Sequence, residues 1–243
     1  MLQSNTTLRS INISGNGLTD SDAVFVGEAI KENNRLKEFD MSHNYFSDKA
    51  GFIFGKAIAE NETIEELNLS WNAFRLKGGV ELCMGISKNN RLQIVNLAMN
   101  GLGNEGALGV AEMIKKSTTL THLDISSNRI GLPGASVIAK ALESNELLKE
   151  FKMGHNPFGV DGAKIFLKVI TAENSRHVLK CFDISGVDVD KEFRDMKLLY
   201  LATKKINISH GAVLGDYVLS QRKVTMPQDT SCNEELVMSG TPA

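Results

Sequence analysis

The 243-residue chain has no apolar run near the ~20 residues that a membrane-spanning helix requires, and its opening MLQSNTTLRS lacks the apolar stretch of a secretory signal. A cytoplasmic location, with no membrane among its partners, is the expectation. Charge of one sign is missing too. Lys and Arg number 27 against 29 Asp and Glu, a formal net charge of -2, which sets up no global field to recruit nucleic acid or an anionic membrane. Cysteine is scarce: Cys83, Cys181 and Cys232 are an odd number with no short spacing, which argues against a disulfide framework or a zinc knuckle and for reduced thiols. Five N-x-S/T triplets, headed by Asn5, Asn12, Asn61, Asn68 and Asn207, imitate glycosylation acceptors but carry no weight without a secretory route.

What the chain does have is a period. The same pattern returns every 28 residues through six copies beginning at Leu8, Leu36, Ile64, Leu92, Leu120 and Leu148, and a seventh, displaced by three inserted residues, begins at Leu179. Each copy opens L-x-x-L-x-L-x-x-N-x-L. The second apolar column reads Ile11, Phe39, Leu67, Val95, Leu123, Phe151, and the third reads Ile13, Met41, Leu69, Leu97, Ile125, Met153. Alternation of this kind predicts a short strand with one buried face. An invariant column follows: Asn16, Asn44, Asn72, Asn100, Asn128 and Asn156. A side-chain amide both donates and accepts, so stacked Asn residues can satisfy the backbone groups exposed where each strand turns away. After a further apolar column (Leu18, Phe46, Phe74, Leu102, Ile130, Phe158), each copy continues at helical spacing, as in Phe54, Ala57, Ile58 and in Ile138, Ala141, Leu142. One strand and one helix cannot bury such faces alone, and stacking the copies makes the core.

The glycines of NLAMNGLGNEGALG, residues 96–109, spell G-x-G-x-x-G and invite a dinucleotide-binding reading, with Asp124 as the ribose-binding acid. The columns argue against it. Gly101 aligns with Gly17, Tyr45, Ala73, Arg129 and Pro157, and between the glycines Leu102 belongs to the apolar column, so the loop should enter the core rather than wrap a pyrophosphate. Likewise Asp40-x-Ser42-x-Asn44 imitates the start of an EF-hand loop, but its twelfth position is Gly51 where a bidentate Glu is required. Catalytic constellations fare no better. Ser14, Ser42, Ser70 and Ser126 share one column, and His43 and His155 share another, four repeats and roughly 19 Å apart at ~4.8 Å per strand. His122, Asp124 and His155 fall on adjacent repeats, where three polar residues on an exposed sheet are more often solvated than metal-bound. Cys83 sits in a helix column of small residues and reads as packing. The expectation is a protein that is not an enzyme and takes no cofactor or metal.

This pattern resembles the leucine-rich repeats of the ribonuclease-inhibitor type, over residues 2 to about 189. Among these it is most similar to the leucine-rich repeat-containing protein 74 group, partly through KINISHGAVLGDY, residues 205–217. The resemblance implies an α/β fold: a right-handed solenoid or horseshoe of 28-residue repeats, with a parallel β-sheet on the concave face and α-helices on the convex face. Residues 1–189 then form the array, six full repeats from Leu8 with partial repeats at both ends. Residues 190–222, with Phe193, Met196 and Leu199 on one helical face, form a C-terminal cap, and 223–243 a flexible tail. The opening LQSNTT matches the segments that close later repeats, which suggests a chain that begins partway through a longer array.

Within each strand, positions two, four and seven after the opening apolar residue should line the concave side, since the apolar columns take the other face. The first column is Ser10, Glu38, Glu66, Ile94, His122, Glu150. The second is Asn12, Asp40, Asn68, Asn96, Asp124, Lys152, and the third Gly15, His43, Trp71, Met99, Ser127, His155. Five carboxylates against one lysine in the first two columns suit a basic protein segment and not a nucleic acid. Trp71, the only tryptophan, beside Met99 and near Ile94, has the composition of an interface hot spot. The expected function is an intracellular protein-binding scaffold of unknown oligomeric state. Two alternatives stay open: a GTPase-activating role of the Ran-type leucine-rich repeat class, which the resemblance admits and in which Arg75 or Arg129 could serve, and regulation of a cytoskeletal (actin) filament.

Overall fold

The computed structural model describes residues 5–201 and 206–215. Within them each copy of the pattern becomes one strand followed by one helix. The strands are β1 (Ser10–Asn12), β2 (Glu38–Asp40), β3 (Glu66–Asn68), β4 (Ile94–Asn96), β5 (His122–Asp124), β6 (Glu150–Lys152), β7 (Cys181–Ile184) and β8 (Asn207–His210). The helices are α1 (Ala23–Glu32), α2 (Asp48–Glu60), α3 (Leu76–Lys88), α4 (Gly103–Lys116), α5 (Leu132–Leu142), α6 (Gly159–Thr171) and α7 (Lys191–Leu201). The strands form a single parallel sheet in sequence order, and from β1 to β6 each residue pairs with the one 28 places on: Ser10 with Glu38, Glu38 with Glu66, Glu66 with Ile94. The architecture is an α/β leucine-rich repeat solenoid. The segment read as a cap supplies α7 and the eighth strand, which pairs with β7 in the same parallel sense, while residues 216–243, including the expected tail, lie outside the described residues.

The apolar columns are buried from β2 onward, Phe39, Leu67, Val95, Leu123, Phe151 in one and Met41, Leu69, Leu97, Ile125, Met153 in the next, while Ile11 and Ile13 on the outer strand are only partly covered. The Asn column forms the expected ladder. The amide nitrogen of Asn72 donates to the carbonyls of Met41, Leu69 and Ser70 at 3.1–3.3 Å, and its oxygen accepts from the Phe46 N–H at 3.1 Å, so one side chain serves two repeats. A second ladder, not anticipated from the sequence, runs along the other end of the helices through Asn33, Asn61, Asn89 and Asn145. Asn89, for example, donates to the carbonyls of Ile58 and Asn61 and accepts from the N–H groups of Arg91 and Leu92. Helix N-termini are capped by the preceding repeat. Asp20 accepts from Ser47 and Ala50 N–H, Asp48 from Arg75, and Asn104 from Gly131 and Gly134.

Helix spacing depends on glycine at one seam. A Cβ on Gly85 of α3 would lie 2.0 Å from the Gly55 carbonyl oxygen of α2, and one on Gly55 would lie 2.5 Å from that of Glu81. Only backbones without side chains approach so closely. The opening motif of the dinucleotide reading resolves in the same packed terms: Leu102 is buried and the Gly103 N–H donates to the Asn128 carbonyl at 2.8 Å.

Candidate functional site: the concave sheet face

The three variable columns lie where two different backbone conformations put them. Glu38, Glu66, Ile94, His122 and Glu150 open their strands, with Asp40, Asp124 and Lys152 two residues on, so these share the open face of the sheet. The third column differs from the expectation of a strand position. Each strand is only three residues long before β7, and His43, Trp71, Met99, Ser127 and His155 sit three residues beyond it in left-handed turns, with φ between 54° and 59°. The ladder of backbone hydrogen bonds nevertheless continues through them, with Trp71 N–H donating to the Ala98 carbonyl at 2.9 Å and Met99 N–H to Ser126 at 3.0 Å. They therefore form a row along the edge of the sheet at its C-terminal side.

The second column makes that turn. The side-chain oxygen of Asn12 accepts from Ser14 N–H, Asp40 from Ser42, Asn68 from Ser70, Asn96 from Ala98 and Asp124 from Ser126, at 2.7–3.1 Å, closing an Asx turn in each of the first five repeats. Asp40 also accepts from the Asn68 amide at 3.1 Å. Asp40 and Asp124 thus spend part of their accepting capacity on the backbone. The recurring Asx-x-Ser triplet carried this signal. The triplets that imitate glycosylation acceptors, at Asn12 and Asn68 and also at Asn5 and Asn61, are Asx turns.

Charge divides the face into two halves. Glu38 and Glu66 are exposed, opposite one another in the β2–β3 register, and neither has a salt-bridge partner among the described residues. Like charges placed so are mutually unfavourable and are relieved by a cation. They border a shallow depression of about 410 Å³ that also takes in Asp40 and Ile94. Toward the C-terminal end, Lys152 bonds Glu150 at 2.7 Å, and His122 lies 3.9 Å from the same carboxylate, around a depression of about 180 Å³. The hydrogen bond to Glu150 holds the Lys152 ammonium above its ordinary pKa, so these two charges answer each other and Asp124 is the carboxylate that remains in this half. Cys181 extends the first column beside Glu150, and burial, reinforced by Glu150 and Asp183, raises its thiol pKa.

Trp71 is 50% exposed, and its ring stacks on His43 with centroids 5.1 Å apart and planes 14° from parallel. Met99 follows one repeat on, half-buried, while Ile94 is exposed in the depression. His155 stands apart, its ring over Gly186 of the next turn. The structure therefore groups Glu38, Asp40, Glu66 and Ile94 in one depression and His122, Asp124, Glu150 and Lys152 in another, with the row along their common edge. Among the described residues no group of three or more His, Cys, Asp or Glu is arranged to hold a metal ion, and no helix is long and apolar enough to cross a membrane.

Residues 4–27, 60–83, 88–111 and 116–139 match the family described as Leucine Rich repeat, in phase with the 28-residue period. These four segments carry leucine-rich repeats. No curated protein sequence matches the chain. Among solved structures, the chain is similar to one described as "Leiomodin-1 Actin-Binding Site 2 (ABS2)", at 19% identity and a TM-score of 0.46, over 70% of this chain and 85% of that one.

Proposed function

We propose that the protein is a non-enzymatic, cytoplasmic scaffold whose concave sheet face binds a basic segment of a protein partner. The observation that carries this reading is the Glu38–Glu66 pair: two exposed carboxylates in direct register, without a salt-bridge partner among the described residues, with exposed Ile94 in the same depression and the half-exposed Trp71 on the C-terminal edge of the sheet. A partner's Lys or Arg would relieve that repulsion, and the apolar neighbours would supply desolvated contact. The self-neutralised pair Glu150–Lys152 makes the other half of the face the weaker attractor. The 28-residue β-α period supports assignment to the ribonuclease-inhibitor type of repeat, and KINISHGAVLGDY the protein 74 group within it.

The test is charge reversal. A Lys- and Arg-rich extended peptide should bind the wild-type chain with an affinity that falls as salt rises, and the double variant Glu38→Lys, Glu66→Lys should lose that binding while retaining its circular dichroism. Equal binding by wild type and double variant would refute the reading.

A further inference from the structure

Seven non-glycine residues among those described have left-handed backbones, and five of them are the same position of successive repeats: His43, Trp71, Met99, Ser127 and His155. The conformation disfavours any residue with a Cβ and suits glycine. Glycine is accepted in this very turn. Gly15 in the first repeat and Gly186 in the seventh occupy the column with φ of 67° and 75°. None of the five side chains is buried, and the turn is already closed by the backbone ladder in all five and by an Asx oxygen in those of His43, Trp71, Met99 and Ser127. Five adjacent repeats thus hold strained, solvent-facing side chains where a strain-free alternative exists in the same chain. Such strain persists where a side chain serves something other than stability.

We infer that this row determines which partner segment the concave face accepts. An extended stretch of a basic protein segment crosses the strands along the row and sets an apolar or planar side chain against Trp71 and Met99, while its cationic residues face Glu38 and Glu66. The inference rests on the function proposed above and adds the residues that select the sequence. Five repeats at ~4.8 Å span about 19 Å, which about six extended residues cover. Complementary charge commits the site to a basic protein segment, because Glu38 and Glu66 open the strands that lead into the row, on the same face of the sheet, and lack salt-bridge partners among the described residues.

Two measurements test it. Without any partner, Met99→Gly and Ser127→Gly should melt above Met99→Ala and Ser127→Ala, the reverse of the usual Gly–Ala order; Ala variants that melt higher would remove the strain argument. For recognition, random peptides of about a dozen residues displayed on phage are selected on the wild-type chain. The enriched peptides should carry net positive charge with an apolar or aromatic residue. Trp71→Gly and Met99→Gly should weaken them at least about tenfold with the fold intact. If those variants bind as wild type while the Glu38→Lys, Glu66→Lys variant does not, the row inference fails and the proposed function stands. If the row variants fail and charge reversal changes nothing, the basic-segment reading falls. Enrichment of no peptide overturns both.

Discussion

Asn128 offers the sharpest test of the stacking account. It is fully buried, and its amide nitrogen donates to the carbonyls of Leu97, Ile125 and Ser126 at 2.8, 2.9 and 3.1 Å while its oxygen accepts from the N–H groups of Asn100 and Leu102 at 3.1 and 3.3 Å. In Asn128→Ala all three carbonyls keep another donor, the Asn100 amide on Leu97, the Asn156 amide on Ile125 and the Met99 N–H on Ser126, so the Asn100 and Leu102 N–H groups are the two that lose their partner. At about 1–3 kcal/mol for each of these two buried groups left unsatisfied, and with water entering to recover part of the loss, the expected destabilisation is about 2–4 kcal/mol. Asn16 occupies the same column on the outer repeat, is exposed, and donates to the Ser14 carbonyl at 3.2 Å, so Asn16→Ala should cost less than about 1 kcal/mol. Guanidinium titration followed by far-UV circular dichroism and by Trp71 fluorescence measures both, with the two probes reporting whether the array still unfolds as one unit. Equal losses at the two positions, or a loss below about 1 kcal/mol for Asn128→Ala, would refute the ladder argument.

Gly85→Ala should destabilise by at least about 2 kcal/mol although alanine is the better helix former, because its Cβ meets the Gly55 carbonyl at 2.0 Å; chemical denaturation decides it. Cys83 is buried and desolvation pushes its thiol to about 12, so mass spectrometry after alkylation should find it unmodified in the native chain and labelled once denaturant is added. Asp190 caps α7 by accepting from the Phe193 N–H at 2.9 Å and pairs with Lys164 at 2.6 Å, and Lys164, with that N–H, holds the carboxyl below its ordinary pKa of 3.8. Its contribution is therefore fully present above the unfolded-state value and is lost as pH falls through the depressed folded value. Acid titration of Asp190→Asn should show a smaller loss of stability below about pH 4 than the wild type does.

The fold was legible because 28-residue repetition exposes each column six times over: no single Leu or Asn is informative, but Phe39, Leu67, Val95, Leu123 and Phe151 in one register can only be a shared buried face. The ladder of Asn44 to Asn156 was legible for the same reason. The helix-end ladder was equally periodic and went unread, because Ser117 stands among Asn33, Asn61, Asn89 and Asn145, and a column of polar residues before a strand looks like ordinary loop. At the concave face, side-chain identity gave the sign of the charge but not the backbone. Spacing alone put Trp71 in a strand, whereas the Asx oxygen of Asn68 ends the strand and turns the chain left-handed. Nor could composition distinguish Glu66, which has no salt bridge among the described residues, from Glu150, whose charge Lys152 answers across 2.7 Å.

Hydrogen–deuterium exchange of the wild-type chain, free and with an enriched basic peptide, tests the central claim most directly. Protection concentrated in residues 38–43, 66–71 and 94–99 is the predicted result. Protection confined to the helices, with those segments exchanging as in the free chain, would contradict it.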